Sequence, residues 1–262
     1  MLLAEAQEAV AYFLAALEER LPALDTRALH WTALTHPRPC TYADLETGPW
    51  AWRVVVDPQP PIEALTQSLQ ACALTTRLPV ASAPQWPDAP PPVLLEQALG
   101  QAEASVLVFL TESPEDATPL ECMRALNQVV WAWMDAGALL LAWPEGRVAW
   151  SKAHLDDFRP NVLGPEEVGL FVSCGTVELE GQQLTRTYGL GQFGLPDLLF
   201  AGQVDPAVLA GAAAFAVGRE ESLQVGDRLE HEGHRWKVAS PATSSEQPSL
   251  KSRHGLVVLT GE

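Results

Sequence analysis

Gly189-Leu190-Gly191-Gln192-Phe193-Gly194 carries the G-x-G-x-x-G spacing, in which glycines permit a tight turn whose backbone amides approach a pyrophosphate. That chemistry needs a strand buried on both faces before the turn and a helix directly after it. Gln182 to Tyr188 is instead polar and alternating, Pro196 stands where the helix should be running, and no strand ending in an acid follows at the expected distance. The six residues therefore read as a glycine-bent connection between a strand and a helix. His231 and His234 lie three apart, with His254 as a third nitrogen, yet Glu232-Gly233 between them predicts a hairpin turn and not the helical H-E-x-x-H of zinc proteases. Cys40, Cys72, Cys122 and Cys174 stand 32, 50 and 52 residues apart, which is no zinc or redox spacing, and they read as reduced, mostly buried thiols. Cys174, within Ser173-Cys174-Gly175, has no histidine placed beside it by the sequence. Asp156-Asp157, Glu166-Glu167 and Glu220-Glu221 are adjacent pairs near turns, where neighbouring side chains diverge. No catalytic, cofactor-binding or metal-ligating set emerges, and no cofactor is expected.

What remains is charge and tryptophan. The chain holds 16 bases against 33 acids, a net charge of -17, and such a field repels phosphate backbones while attracting cationic surfaces. Residues 1 to 185 hold 9 bases and 24 acids, residues 186 to 262 hold 7 and 9, so an acidic docking surface belongs mainly to the first two thirds. Glu112, Glu115 and Asp116 form a compact acidic group there. Trp50 and Trp52 alternate on a predicted strand and so share a face, whereas Trp131 and Trp133 diverge on a predicted helix. These five residues, Glu112, Glu115, Asp116, Trp50 and Trp52, are the candidate interaction surface, with a basic protein as the expected partner. Nucleic acid and membrane are not expected, because no stretch approaches the ~20 apolar residues that span a bilayer. The default compartment is the cytoplasm.

The elements that must position these residues follow from periodicity. Leu3, Ala6, Val10, Phe13, Leu14, Leu17 and Leu21 predict an amphipathic helix closed by Pro22. Trp50 to Val56 predicts a strand, and Pro61 starts a helix to about Thr75. Six prolines between 79 and 92 forbid helix and ladder and predict an extended linker or strap. A short helix, Val93 to Leu99, and a strand, Ser105 to Leu110, follow it. A helix then runs from Pro119, with Leu120, Met123, Leu126, Val130, Trp133 and Met134 inward and Gly137 as its cap, into a strand Ala138 to Trp143. Beyond it come strands at Val168 to Leu179 and up to Tyr188, a helix from Pro206 to Val217, a hairpin between Leu223 and Ala239, and a closing strand at Leu256 to Leu259. The expected fold is α+β, two lobes of mixed, largely antiparallel sheet with packed helices. The expected organisation is 1–78 (helix plus strand-helix unit), 79–92 (proline-rich linker), 93–160 (strand-helix-strand unit) and 161–262 (C-terminal α+β domain).

Leu184 to Leu198 resembles the most recognisable stretch of a bacterial family known as domain of unknown function 4261. The likeness rests on Thr187, Gly189, Gly191, Phe193, Gly194 and Asp197, the Ala-rich helix from Pro206 and the Gly226-Asp227 turn, with 129–150 similar to the preceding portion. The resemblance implies a cytosolic bacterial accessory protein, with immunity-type binding among the roles implied, and carries over no catalytic residue. The expected function is a non-enzymatic protein-interaction factor. The alternatives are a hydrolase or small-ligand enzyme with a site between lobes near Gly189–Gly194, and a structural subunit of a homo-oligomer.

Overall fold

The computed structural model describes the chain apart from residues 4–5, 27–28, 35–38, 60–62, 73, 80–91, 152–163, 180, 220–222, 232, 240–253, 255 and 262. The proline-rich strap, for 80–91, and the pairs Asp156-Asp157 and Glu220-Glu221 lie outside the described residues. In chain order the elements are β1 (Leu2–Leu3), α1 (Ala6–Arg20), β2 (Thr32–Leu34), β3 (Cys40–Thr47), β4 (Trp50–Asp57), α2 (Glu63–Cys72), β5 (Thr76–Arg77), α3 (Pro92–Gln101), β6 (Ala104–Glu112), α4 (Pro119–Asp135), β7 (Leu140–Trp143) and β8 (Val148–Ser151). They continue with β9 (Ser173–Leu179), β10 (Gln182–Tyr188), β11 (Asp197–Ala201), α5 (Pro206–Gly218), β12 (Arg228–His231), β13 (His234–Ala239) and β14 (Leu256–Gly261). Among the described residues they make two sheets of seven strands each, mostly antiparallel, so the fold is α+β.

The chain divides into two units, 1–70 with 90–142 and 149–159, and 71–89 with 143–148 and 160–262. The strand-helix segments on either side of the strap therefore share one unit. The first unit's sheet runs β2-β3-β4-β6-β1-β7-β8. Leu3, which the helical pattern takes as the start of α1, instead pairs with Ala104, and Leu2 pairs with Ser105 on one side and Leu140 on the other, so the sheet satisfies their backbone groups.

One face of this sheet is apolar because β4 alternates: Trp52, Val54 and Val56 are buried, and Arg53 is exposed. The helices α1 and α4 pack against one another. Phe13 of α1 stacks on Trp133 of α4, with ring centroids 4.0 Å apart and planes 9° from parallel, and Arg20 meets Asp135 at 2.7 Å. α4 starts where it does because Thr118 and Glu121 form a capping box, with Pro119 in the first helical turn, and it stops at Gly137, whose φ of 95° lies in the left-handed region.

The box also sets a pH response. The Thr118 backbone N–H, and after it the hydroxyl, hold the Glu121 carboxyl below the usual carboxylate range. A depressed folded value means stabilisation that is present above the unfolded pKa, about 4.3, and is lost as pH falls through the folded one. The urea midpoint of wild type should therefore exceed that of Glu121→Gln near neutrality, and the two should converge in acid.

In the second unit the order is β12-β13-β14-β11-β10-β9-β5, with β14 parallel to β11 and antiparallel to β13. The closing strand thus lies inside the sheet and not at its edge. Pro165–Leu170 is a 3₁₀ helix, which corrects the strand expected to begin at Val168. The expected Ala-rich helix is α5, capped by the Asp205 carboxylate accepting from Ala207 N, and it packs on that 3₁₀ helix.

Candidate functional site

The glycine motif joins two strands, β10 and β11, through a 3₁₀ turn at Leu190–Phe193, and not a strand to a helix. Asp197, which the family likeness places at a helix start, is the first residue of β11. Its carboxylate does two things. Oδ2 pairs with Arg186 at 3.0 Å, both side chains under a tenth exposed, and Oδ1 accepts from Leu190 N at 3.1 Å. Gln192 N donates to Gly189 O, and Gly194 N donates to Gly191 O. Amides that would cradle a phosphate are thus occupied from within, and a fixed carboxylate already takes the anion's place at Leu190.

Gly189 sits at φ 106°, and a Cβ there would stand 2.5 Å from Gly146 Cα and 2.7 Å from Phe171 O, so the turn is filled by the protein's own backbone. Thr187 Oγ1 accepts from Leu198 N at 2.8 Å, and Phe193 packs edge-on against Phe171. Leu184 to Tyr188 is buried throughout, which corrects the half-exposed strand that its polar alternation predicts. The partner for Arg186 is 11 residues away, beyond the reach of a local pattern.

Burial pushes the Cys72 thiol up to about 11, with Arg77 and Arg147 opposing, and burial pushes Cys174 up to about 11 as well. Cys40 and Cys122 are half-buried. With native protein a thiol reagent should label Cys40 and Cys122 and spare Cys72 and Cys174 until denaturant is added, read by peptide mapping. Among the described residues no group of three His, Cys, Asp or Glu is placed to hold a metal.

The first unit holds all five candidate interaction residues. In the ladder Ala51 stands opposite Glu112, Trp52 opposite Leu110, and a bulge falls between Ala51 and Trp52. Glu115 and Asp116 then lie exposed in the turn leading to Thr118. Glu112 thus ends β6 on the Ala51 face, away from the face shared by Trp50 and Trp52, and the turn with Glu115 and Asp116 leads to the first turn of α4. There an open groove of about 290 Å³ is lined by Leu21, Thr47, Trp50, Trp52, Glu121, Arg124, Ala125 and Gln128.

Trp50 and Trp52 do share a face, but not an exposed one. Trp52 is 1% exposed, its indole N–H has no acceptor among the described residues, and Trp50 is half-buried in the wall. The α4 lining residues were legible in principle, because Thr118-x-x-Glu121 is a capping-box pattern and positions 121, 124, 125 and 128 recur at helical spacing.

No family model matches this chain, and neither a curated protein nor a solved structure shows significant similarity to it. Among the described residues no helix is long and apolar enough to cross a membrane.

Proposed function

We propose that this chain is a non-enzymatic binding protein whose partner is a basic protein, docked on the acidic end of the first unit. The observation that carries the reading is the groove that Trp50 and Trp52 line beside the capped start of α4, with Glu112, Glu115 and Asp116 exposed in the segment that leads into that helix. A net charge of -17 adds long-range attraction for a cationic surface. The occupied amides of the glycine turn favour this reading over a nucleotide or hydrolase site at Gly189–Gly194. With the family likeness of 184–198, the role takes the form of a cytoplasmic accessory or immunity-type factor.

The test is carboxyl footprinting of the full chain, free and bound to the partner purified from its native host. Glu112, Glu115 and Asp116 should lose labelling in the complex; unchanged labelling at all three sinks the reading. Self-association is the second reading, favoured by Leu107 and Phe109, 45% and 49% exposed on the outer face of β6. A dimer in sedimentation velocity that Phe109→Ser dissolves would select it.

A further inference from the structure

The groove at the end of β4 is small. Ligand pockets commonly enclose ~300–1,000 Å³, so about 290 Å³ suits one long side chain and not a nucleotide. Its lining pairs an aromatic and aliphatic floor, Trp50, Leu21 and Ala125, with the Glu121 carboxylate. The capping box fixes that carboxylate, since Oε2 accepts from Thr118 N and Thr118 Oγ1, each at 2.8 Å. Glu121 and Arg124 are the one acid and the one base in the lining. A second copy of this chain is a poor occupant, because two bodies of charge -17 repel.

We propose that this groove receives one arginine side chain from an extended segment of the partner, stacked on Trp50 and paired with Glu121. The inference rests on the reading that the partner is basic. Tryptophan is the strongest cation–π acceptor among the aromatic side chains, and a planar guanidinium can stack and fork to a carboxylate at once, which an ammonium cannot. The chain already uses this contact elsewhere, with Arg53 over Tyr42 at 4.8 Å and Arg147 over Tyr188 at 3.9 Å. Trp52 adds a second demand. A buried indole N–H without an acceptor is destabilising. A backbone carbonyl of the incoming segment supplies that acceptor.

The experiment uses the full chain with nitrogen-15-labelled tryptophan and the capped peptide Gly-Gly-Arg-Gly-Gly, indole cross-peaks being assigned with Trp50→Phe and Trp52→Phe. The expected result is a saturable shift of the Trp50 and Trp52 indoles, the latter downfield. The lysine peptide should bind more weakly, and the isosteric, uncharged citrulline peptide about tenfold more weakly. Glu121→Gln keeps a capping partner and should reduce the arginine peptide to the citrulline level. Equal binding of the citrulline peptide, shifts confined to other tryptophans, or no saturable shift would each overturn the proposal. If the peptide fails while footprinting still protects Glu112, Glu115 and Asp116, the arginine seat is wrong and the basic-partner reading stands; if both fail, both are wrong.

Discussion

Asp197→Ala should destabilise the second unit by about 3–5 kcal/mol, the usual consequence of stranding one member of a buried ion pair. The carboxylate is bonded to the Arg186 guanidinium at 3.0 Å and to Leu190 N at 3.1 Å, with side-chain exposures of 3% for Arg186 and 7% for Asp197. Its removal deprives a buried cation of its counter-ion and the 3₁₀ turn of its first acceptor. The Arg186 stack on Tyr188, at 4.8 Å, is too weak to compensate. Asp197→Asn keeps shape and an acceptor oxygen, so it should fall between wild type and Asp197→Ala. Urea unfolding measures all three. Values for both variants within about 0.5 kcal/mol of wild type, the range of an ordinary surface substitution, would show that the pair does not organise the turn.

Gly189→Ala should be the most damaging of the glycine substitutions in the turn. A left-handed φ costs an L-residue roughly 1–2 kcal/mol, and the new Cβ would also press on Gly146 Cα and Phe171 O, backbone atoms that cannot rotate away. Overpacking of this kind commonly adds ~1–3 kcal/mol. Gly181 provides the control, since it has φ 78° with nothing within 4 Å of its Cβ position. Gly181→Ala should show the conformational cost alone. The difference between the two midpoints isolates the steric part, and equal midpoints would mean that the turn has room for a side chain and hence for a ligand.

The glycine turn carries a nucleotide-site spacing, and its surroundings are set by residues far away in the sequence. The glycines at 189 and 194 do adopt positive φ, 106° and 71°, as the spacing requires. The close approach at Gly189, however, is to the protein's own backbone at Gly146 and Phe171, which are distant in sequence. β4, α4 and α5 were legible because β-branched and aromatic residues, the helical spacing that follows Pro119 and the small apolar run that follows Pro206 are written into consecutive residues. β3 was missed because Asp44 and Glu46 interrupt it, although Ala43 and Leu45, which alternate with them, are the buried positions and Gly48, at φ 56°, marks the hairpin. β1 has only two residues and carries no period.

The candidate site was half legible. Shared facing of Trp50 and Trp52 follows from strand geometry alone. That Glu112 stands opposite Ala51 depends on β6 pairing with β4 across α2, β5 and α3, a choice made by packing and not by local pattern. The burial of Trp52 under α4 has the same origin.

The central claim, a basic partner drawn to the acidic end of the first unit, is tested most directly by the association rate with the purified native partner as salt is raised. Screening acts over a Debye length of about 8 Å at physiological ionic strength, so attraction between exposed charges is a rate effect that salt removes. Wild type should associate progressively more slowly with salt, dissociation should change little, and Glu112→Gln/Glu115→Gln/Asp116→Asn should start slow and show a shallower salt dependence. An association rate that ignores salt, or a triple variant that follows the wild-type curve, would contradict the account.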